Sequence, residues 1–486
     1  MVPSFQRSEE ELARADDLLR GTLGDPRRRV LLRGGTVLTM DTAIGDLARG
    51  DVLIEGATIA AVEPDLSQVA TDGGAVVVPA EGMVVMPGMH DVHRHCWQTQ
   101  FRRLMTGCEL STYQDVLLRK LGPLYRPDDM YTGTLAAGLG ALDSGITTLQ
   151  DFSHNARSQE HSDRAIDALR DAGIRTVHAS GPPLSGKWDE QWPEDLRRLR
   201  QRIGSHEPLL SLRSALLGSD EVGGSFYTLR PESIAYARSL GLGMTVDAAF
   251  GPAAAANIEL LGRAGLLGPD VTLLHCNAFT DEAWRVIADS GAQVGLCPTS
   301  DTQLGIFDAT PPADKAKQFG VRPGLCVDVE CALGTDMFAQ MQAIYTTQRM
   351  LTYRRRYYNE ADAGVPIDLR TVLEMATVNG SQANGLSAEV GTLASGMQAD
   401  VVLIDVESAE TLPLNNALGA AVIGASSKDV DTVFVAGELR KWRGQLIDFD
   451  LATLRVAVHE SRDDLLARAG FVLDVSSGNL TRSEEI

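Results

Sequence analysis

The chain is predicted to fold as a (β/α)8 TIM-type barrel, an α/β architecture, with a small β-sandwich domain built from both chain ends. Three observations carry this. The middle of the sequence repeats a strand-then-helix rhythm eight times, the pattern of a parallel sheet or barrel. Short apolar strands separated by turns fill residues 30–86 and return only after residue 387, so the two ends are expected to supply one β unit. His93 and His95 close the first strand of the repeat, and a barrel of this kind places its chemistry at the C-terminal ends of its strands.

The 486 residues exceed what one simple core organises. We divide them into an N-terminal helical extension (1–29), the first part of the sandwich (30–86), the barrel (87–386), the second part of the sandwich (387–448) and a C-terminal helix and tail (449–486). A hydrophobic fraction of 44% with 22% charged residues is that of an ordinary globular protein. The formal net charge of −21 argues against nucleic acid, which is held by clustered Lys and Arg. The short basic runs Arg27–Arg29 and Arg354–Arg356 read as solvated faces or oligomer contacts, and a homodimer is expected. No apolar run reaches membrane-spanning length, and the N-terminus lacks a basic-then-apolar leader, so the cytoplasm is expected and no membrane partner. The six cysteines form no C-x-x-C pair and read as reduced core thiols.

In chain order, residues 8–20 predict a short helix. Ser8 and Glu11 make a capping-box pattern, and Leu12, Ala15, Leu18 and Leu19 supply an apolar stripe. The segments VLLRGGTVLTM, DVLIEGATIAAVEP and GAVVVPAEGMVVMPG read as strands whose partners are VGTLASGMQADVVLID and DVDTVFVAGELRKW. The barrel strands are MPGMHDVHRH, GITTLQDFSH, GIRTVHAS, PLLSLRSALLG, GLGMTVDAAF, DVTLLHCNAF, GAQVGLCPTS and RPGLCVDVEC. Several follow a glycine that ends a helix-like stretch, as in ALRDAG and VIADSG. Residues 451–466 read as a helix and the tail after Ser476 as loose.

On a strand, residues i and i+2 face one way, so the imidazoles of His93 and His95 stand side by side, the geometry of two ligands to one metal ion. Two unrelated histidines near a loop would give the same letters; the strand-end position favours ligands.

PGMHDVHRH at strand one, LLHCNAF at strand six, CPTS at strand seven, CVDVE at strand eight and EMATVNGSQANGLSAEVGTLASGMQADVVLID beyond the barrel complete a pattern. With them the chain, from about Val30 to Trp442, resembles the amidohydrolase superfamily, within it the cytosine-deaminase-like and chlorohydrolase-like branch. The resemblance implies one divalent metal, Zn or Fe, held by the strand-one histidines (His93 and His95 here), a strand-five histidine and a strand-eight aspartate. It also implies a strand-six histidine, His275, near the metal or its water.

Two aspartates compete for the strand-eight place. Gly334-Thr335-Asp336 looks like the family's Gly-Thr-Asp signature but runs straight into a helical segment, so Asp336 reads as that helix's N-cap. Asp328, ending RPGLCVD, is the residue we assign. At strand five the chain departs from the family. No histidine lies between His206 and His275, and Asp247 occupies the expected place, either as a carboxylate ligand or as a substrate-facing or salt-bridged group. The glutamate that shuttles protons three residues later is Phe250 here, which disfavours ordinary nucleobase deamination. A two-metal centre bridged by a carbamylated lysine is not expected, since strand four has no lysine.

The reading is a hydrolase acting on a C–N or related bond of a small-molecule substrate, with metal ligands His93, His95, Asp247 and Asp328. Asp328 is assigned the proton transfer and His275 the stabilisation of developing charge. Trp97, Gln98, Arg102, His154 and His178 are candidates for substrate contact, and Cys297 reads as a pocket or core residue. Two alternatives stand beside it: a non-hydrolytic step such as dehydration, cyclisation or decarboxylation, with or without metal, and a catalytically silent binding protein.

Overall fold

The structure, a computed structural model, describes residues 8–71, 74–204, 207–361 and 363–482. A helix over Glu9–Gly21 opens it, capped by Ser8, whose hydroxyl accepts from Glu11 N at 3.4 Å. Leu12, Ala15 and Leu19 are buried against the small domain, whereas Leu18 points to solvent and is not part of the stripe.

The two chain ends share one nine-stranded sheet. Its first half is β1 (Arg29–Val37), β2 (Leu47–Glu55), β3 (Thr58–Glu63), β4 (Val76–Pro79) and β5 (Met83–Pro87); its second half is β14 (Val401–Asp405), β15 (Val430–Val435), β16 (Glu438–Trp442) and β17 (Gln445–Leu446). The halves join where β14 runs antiparallel to β5, Val402 opposite Met86 and Ile404 opposite Val84. Alternation along these two strands serves two cores. Val84, Met86, Val402 and Ile404 pack into the barrel's core, while Met83, Val85, Val401 and Leu403 pack into that of the small domain. Continuous apolar runs result, as a strand buried on both faces requires.

The barrel strands follow in order: β6 (Met89–Arg94), β7 (Ile146–Ser153), β8 (Arg175–Ser180), β9 (Leu210–Leu217), β10 (Gly243–Ala249), β11 (Val271–His275), β12 (Gln293–Leu296) and β13 (Gly324–Leu325). Each pairs in parallel with the next. The regular part of the eighth strand is only two residues long, shorter than its sequence suggests. Closure comes just beyond it: Asp328 N donates to His93 O at 2.8 Å and His95 N donates to Asp328 O at 3.1 Å. Strand one and the eighth segment therefore meet at the residues that carry the candidate ligands. Gly88, between β5 and β6, lets the chain pass from one sheet to the other, because a Cβ there would lie 1.9 Å from Thr147 Oγ1.

The C-terminal helix spans Leu451–Arg468 and is tied to the barrel by Ser461 Oγ, which donates to Asp129 Oδ1 at 2.7 Å. The segment after it is ordered as a hairpin, β18 (Phe471–Asp474) paired with β19 (Asn479–Arg482), so the tail is not loose up to Arg482. The Asp474 carboxylate caps the turn by accepting from Ser476 N at 2.9 Å. Among the described residues, no helix is long and apolar enough to cross a membrane.

Candidate functional site

Five side chains from four strand ends converge. His93 and His95 leave β6 on one face, Asp247 stands near the end of β10, His275 ends β11, and Asp328 lies at the closing segment. His93 Nε2 is 3.1 Å and His95 Nε2 3.2 Å from Asp328 Oδ1. Asp247 lies 3.7 Å from His93 Nε2, 3.6 Å from His95 Nε2 and 3.3 Å from His275 Nε2. His275 Nε2 is also 3.9 Å from Asp328 Oδ2.

Backbone conformation marks the same places. Asp328 (φ 68°), His275 (φ 71°) and Ala248 (φ 48°) occupy the left-handed region, which costs a side-chain-bearing residue roughly 1–3 kcal/mol and persists only where the surroundings impose it. Here the surroundings are the barrel closure at Asp328 and the β10–β11 pairing, which ends with Ala249 opposite His275.

These separations suit a metal. Ligands about 2.1 Å from a common ion stand roughly 3.0 Å apart in octahedral and roughly 3.4 Å apart in tetrahedral geometry. His93 is fully buried, and neither of its ring nitrogens has a hydrogen-bond partner despite the carboxylate 3.1 Å from Nε2. That nitrogen is near the oxygen without aiming a proton at it, the relation expected of two ligands rather than of a donor and its acceptor. Two triads, His93–His95–Asp328 and His93–Asp247–His275, bring their donor atoms within 4.8 Å of one another.

Charge balance agrees. Burial opposes ionisation of Asp328, but the neighbouring His93 and His95 outweigh it and hold its carboxyl well below the usual range. Burial likewise opposes charge on His95, and Asp328 and Asp247 outweigh it and raise its pKa. Two carboxylates, Asp328 buried and Asp247 half-buried, facing three imidazoles call for positive charge, supplied by imidazolium protons or by a divalent cation.

Behind this cluster sits a layer that sequence reasoning missed. Asp301, fully buried, accepts from His275 Nδ1 at 2.8 Å, so His275 Nε2 is the nitrogen turned to the site. Ser300 Oγ donates to Asp328 Oδ2. Glu330, two residues after Asp328, binds three partners: Arg94 Nη1, Arg102 Nε at 2.7 Å and Thr99 Oγ1 at 2.8 Å. Arg94 is in turn fixed to Asp91 Oδ2 at 2.7 Å, which braces the segment carrying both histidines. The signal for Glu330 was the alternation in CVDVE, which returns a second carboxylate two residues after Asp328. Asp301 had none beyond following CPTS.

The cluster opens into a cleft bordered by His95, Asp247, His275 and Asp328 together with Tyr113, Gln114, His154 and Phe250. Of the candidates for substrate contact, His154 borders the cleft and the other four do not. Arg102 cannot reach it, because its guanidinium is taken by Glu330 and by Ala136 O. His178 is buried in β8 and bonded to Asp151 at 2.9 Å. Trp97 and Gln98 are buried behind the wall and donate to residues that form it, Trp97 Nε1 to His154 Nδ1 at 3.2 Å and Gln98 Nε2 to Tyr113 OH at 2.8 Å. Asp336 caps the helix Met337–Tyr357, accepting from Ala339 N at 2.9 Å, away from the cleft. Cys297 is a buried thiol 3.9 Å from His275 Nε2.

Residues 246–440, from the end of β10 through the end-sheet strand β16, match the amidohydrolase family model. Over that stretch the chain is similar to the amidohydrolase family. The chain is 26% identical over 463 residues to a 5′-deoxyadenosine deaminase of Methanosarcina mazei, covering 90% of this chain and 99% of the relative. It is 28% identical over 432 residues to a 5-methylthioadenosine/S-adenosylhomocysteine deaminase of Desulforudis audaxviator, covering 85% and 93%. Its fold is similar to that of a zinc-bound adenosine deaminase from Xanthomonas campestris, with a TM-score of 0.75, 22% identity and coverage of 90% and 98%. An atrazine chlorohydrolase from Arthrobacter aurescens complexed with zinc aligns with a TM-score of 0.72, 21% identity and coverage of 89% and 100%. The full-length coverage places both halves of the end sheet, and not only the barrel, within the shared architecture.

Proposed function

We propose that the chain hydrolyses a C–N or related bond of a small molecule, with a divalent metal held by His93, His95, Asp247 and Asp328. The observation that carries the reading is the convergence of these donors at ligand-to-ligand spacing around His93, whose buried ring nitrogens have no other partner. Bound there, the cation would lower the pKa of its water towards about 7.

The two oxygens of Asp328 divide the work. Oδ1 faces the strand-one histidines and Oδ2 faces Ser300 and His275. Oδ2 is thus the atom that takes a proton from the attacking water and returns it to the leaving group. His275, its Nδ1 held by Asp301, turns Nε2 toward charge developing on the attacked centre. Asp247 fills the place of the missing strand-five histidine and Phe250 that of the missing shuttle glutamate, with the Phe250 ring 5.5 Å from that of His275. Asp328 therefore carries the proton traffic alone.

Zinc is the metal we assign, since two imidazoles and two carboxylates suit it. Six free cysteines, five of them buried, accord with a reducing cytoplasm. The aromatic and basic end of the helix Met337–Tyr357, with Tyr353, Tyr357 and Tyr358 exposed beside Arg354, is the surface we assign to a homodimer.

Elemental analysis, with ammonia and chloride release from a panel of aminated and chlorinated heteroaromatic compounds, tests the proposal. Activity should vanish on chelation, return with zinc and be absent from Asp328→Asn with the fold intact. Phe250 also favours a second reading, non-hydrolytic chemistry needing no water activation. Turnover that survives complete chelation would select it and overturn the first.

A further inference from the structure

Two residues of the cleft wall, Tyr113 and His154, are each approached from behind by a buried group. Trp97 and Gln98, adjacent in the short helix Cys96–Phe101 that follows the two histidines, supply those groups. The Trp97 indole can only donate, so His154 Nδ1 is an acceptor and the proton of the neutral ring sits on Nε2. The His154 ring also stacks on His95 at 4.4 Å and 16°, which fixes its plane. On the other side, Gln98 Nε2 donates to the Tyr113 hydroxyl, and the Cys331 thiol, 3.9 Å from Gln98 Oε1, sets which way round that amide stands. Tyr113 accepts from behind, and its own O–H is left to donate.

Apart from Gln114 and the His–Asp cluster itself, the rest of the wall is apolar. Leu118, Leu184, Val222, Leu304, Ile306 and Val329 border the cleft, and among the described residues no Lys or Arg does. An anionic group held among these side chains, away from the metal ligands, would meet no counter-charge and would lose its hydration against aliphatic side chains.

We propose that the substrate is an uncharged molecule with an apolar body, whose acceptor atoms, ring nitrogens or carbonyl oxygens, are bound by Tyr113 O–H and His154 Nε2–H. Trp97 and Gln98 are positioning residues that make both groups donors. The inference deepens the proposed function and rests on it only for where the reacting bond lies. A site that hydrogen-bonds its ligand rejects analogues that leave those donors unpaired, so the pair sets specificity as well as affinity.

The test is calorimetric titration of the zinc-loaded full chain with two probes: a methoxy-bis(alkylamino)triazine, and its congener carrying a carboxylate at the end of one alkyl arm. The neutral probe should bind at least about tenfold more tightly, and Tyr113→Phe and Trp97→Phe should each weaken it roughly three- to tenfold at unchanged zinc content. Nitrogen-15 NMR should find His154 protonated at Nε2 in the parent protein and divided between tautomers in Trp97→Phe, a change that loss of packing alone would not produce. Equal or tighter binding of the carboxylate congener, failure of both probes to bind, or wild-type affinity in both variants would overturn the proposal. Discrimination between the probes in a protein that takes up no zinc would leave this recognition intact and remove the hydrolase reading instead.

Discussion

His90 gives the most quantitative prediction. It lies on the barrel's first strand, fully buried, with neither ring nitrogen hydrogen-bonded, and a Cβ on Gly380 would lie 2.6 Å from its own Cβ. Burial pushes its pKa down to about 3, with the Asp400 charge opposing and Arg175 assisting. The folded protein therefore holds His90 neutral while the unfolded chain protonates it at about pH 6.5. Because the folded pKa is the lower one, the stability contribution is complete above pH 6.5 and is lost as pH falls from 6.5 towards 3. At pH 5 the loss is about 2 kcal/mol, and at pH 3 it is roughly 4 kcal/mol. Replacing His90 by Leu removes the titration. Urea unfolding at pH 7 and pH 5 should show the wild type losing about 2 kcal/mol more than His90→Leu between the two conditions. His161, whose pKa burial also lowers, remains in both proteins and cancels in the comparison. An equal pH 7 to pH 5 difference in the two proteins would refute the reasoning.

Other predictions follow from the frame around the site. Glu330→Gln leaves the Arg94 guanidinium, fully buried, with only the Asp91 carboxylate, and should cost about 3–5 kcal/mol in urea unfolding at pH 7; a loss under about 1 kcal/mol would show that the network is not what holds strand one. Gly88→Ala places a methyl group 1.9 Å from Thr147 Oγ1 and should cost more than about 2 kcal/mol, partly recovered by Thr147→Ala, as the melting temperatures of the single and double variants would show.

Much of the architecture was legible because burial on both faces leaves a signature. The eight barrel strands read as apolar runs after helix-ending glycines, and Val84 to Met86 and Val401 to Ile404 alternate between two cores and so appear continuously apolar. Strand ends were legible for the same reason: His93, His95, Asp247, His275 and Asp328 each interrupt an apolar run where a barrel exposes its mouth. Residues on the connecting segments were not. Trp97, Gln98 and Arg102 follow the two histidines in sequence, but the short helix Cys96–Phe101 turns all three away from the cleft, and nothing local reports where Glu330, 228 positions from Arg102, will meet it. Tyr113 and Gln114 reach the cleft from a separate helical stretch that carries no motif. The short hairpin formed by Phe471–Asp474 and Asn479–Arg482 was hidden because its apolar face is only Phe471, Leu473 and Leu480, which pack against a core supplied by distant parts of the chain.

The central claim is that a single cation is held where Asp247 takes the place of a histidine. Metal content of the purified protein by elemental analysis, beside Asp247→Ala and His93→Ala, tests it most directly. The account predicts about one zinc per chain in the parent protein and a clear loss in both variants. A parent chain without metal, or an Asp247→Ala variant that retains it in full, would contradict it.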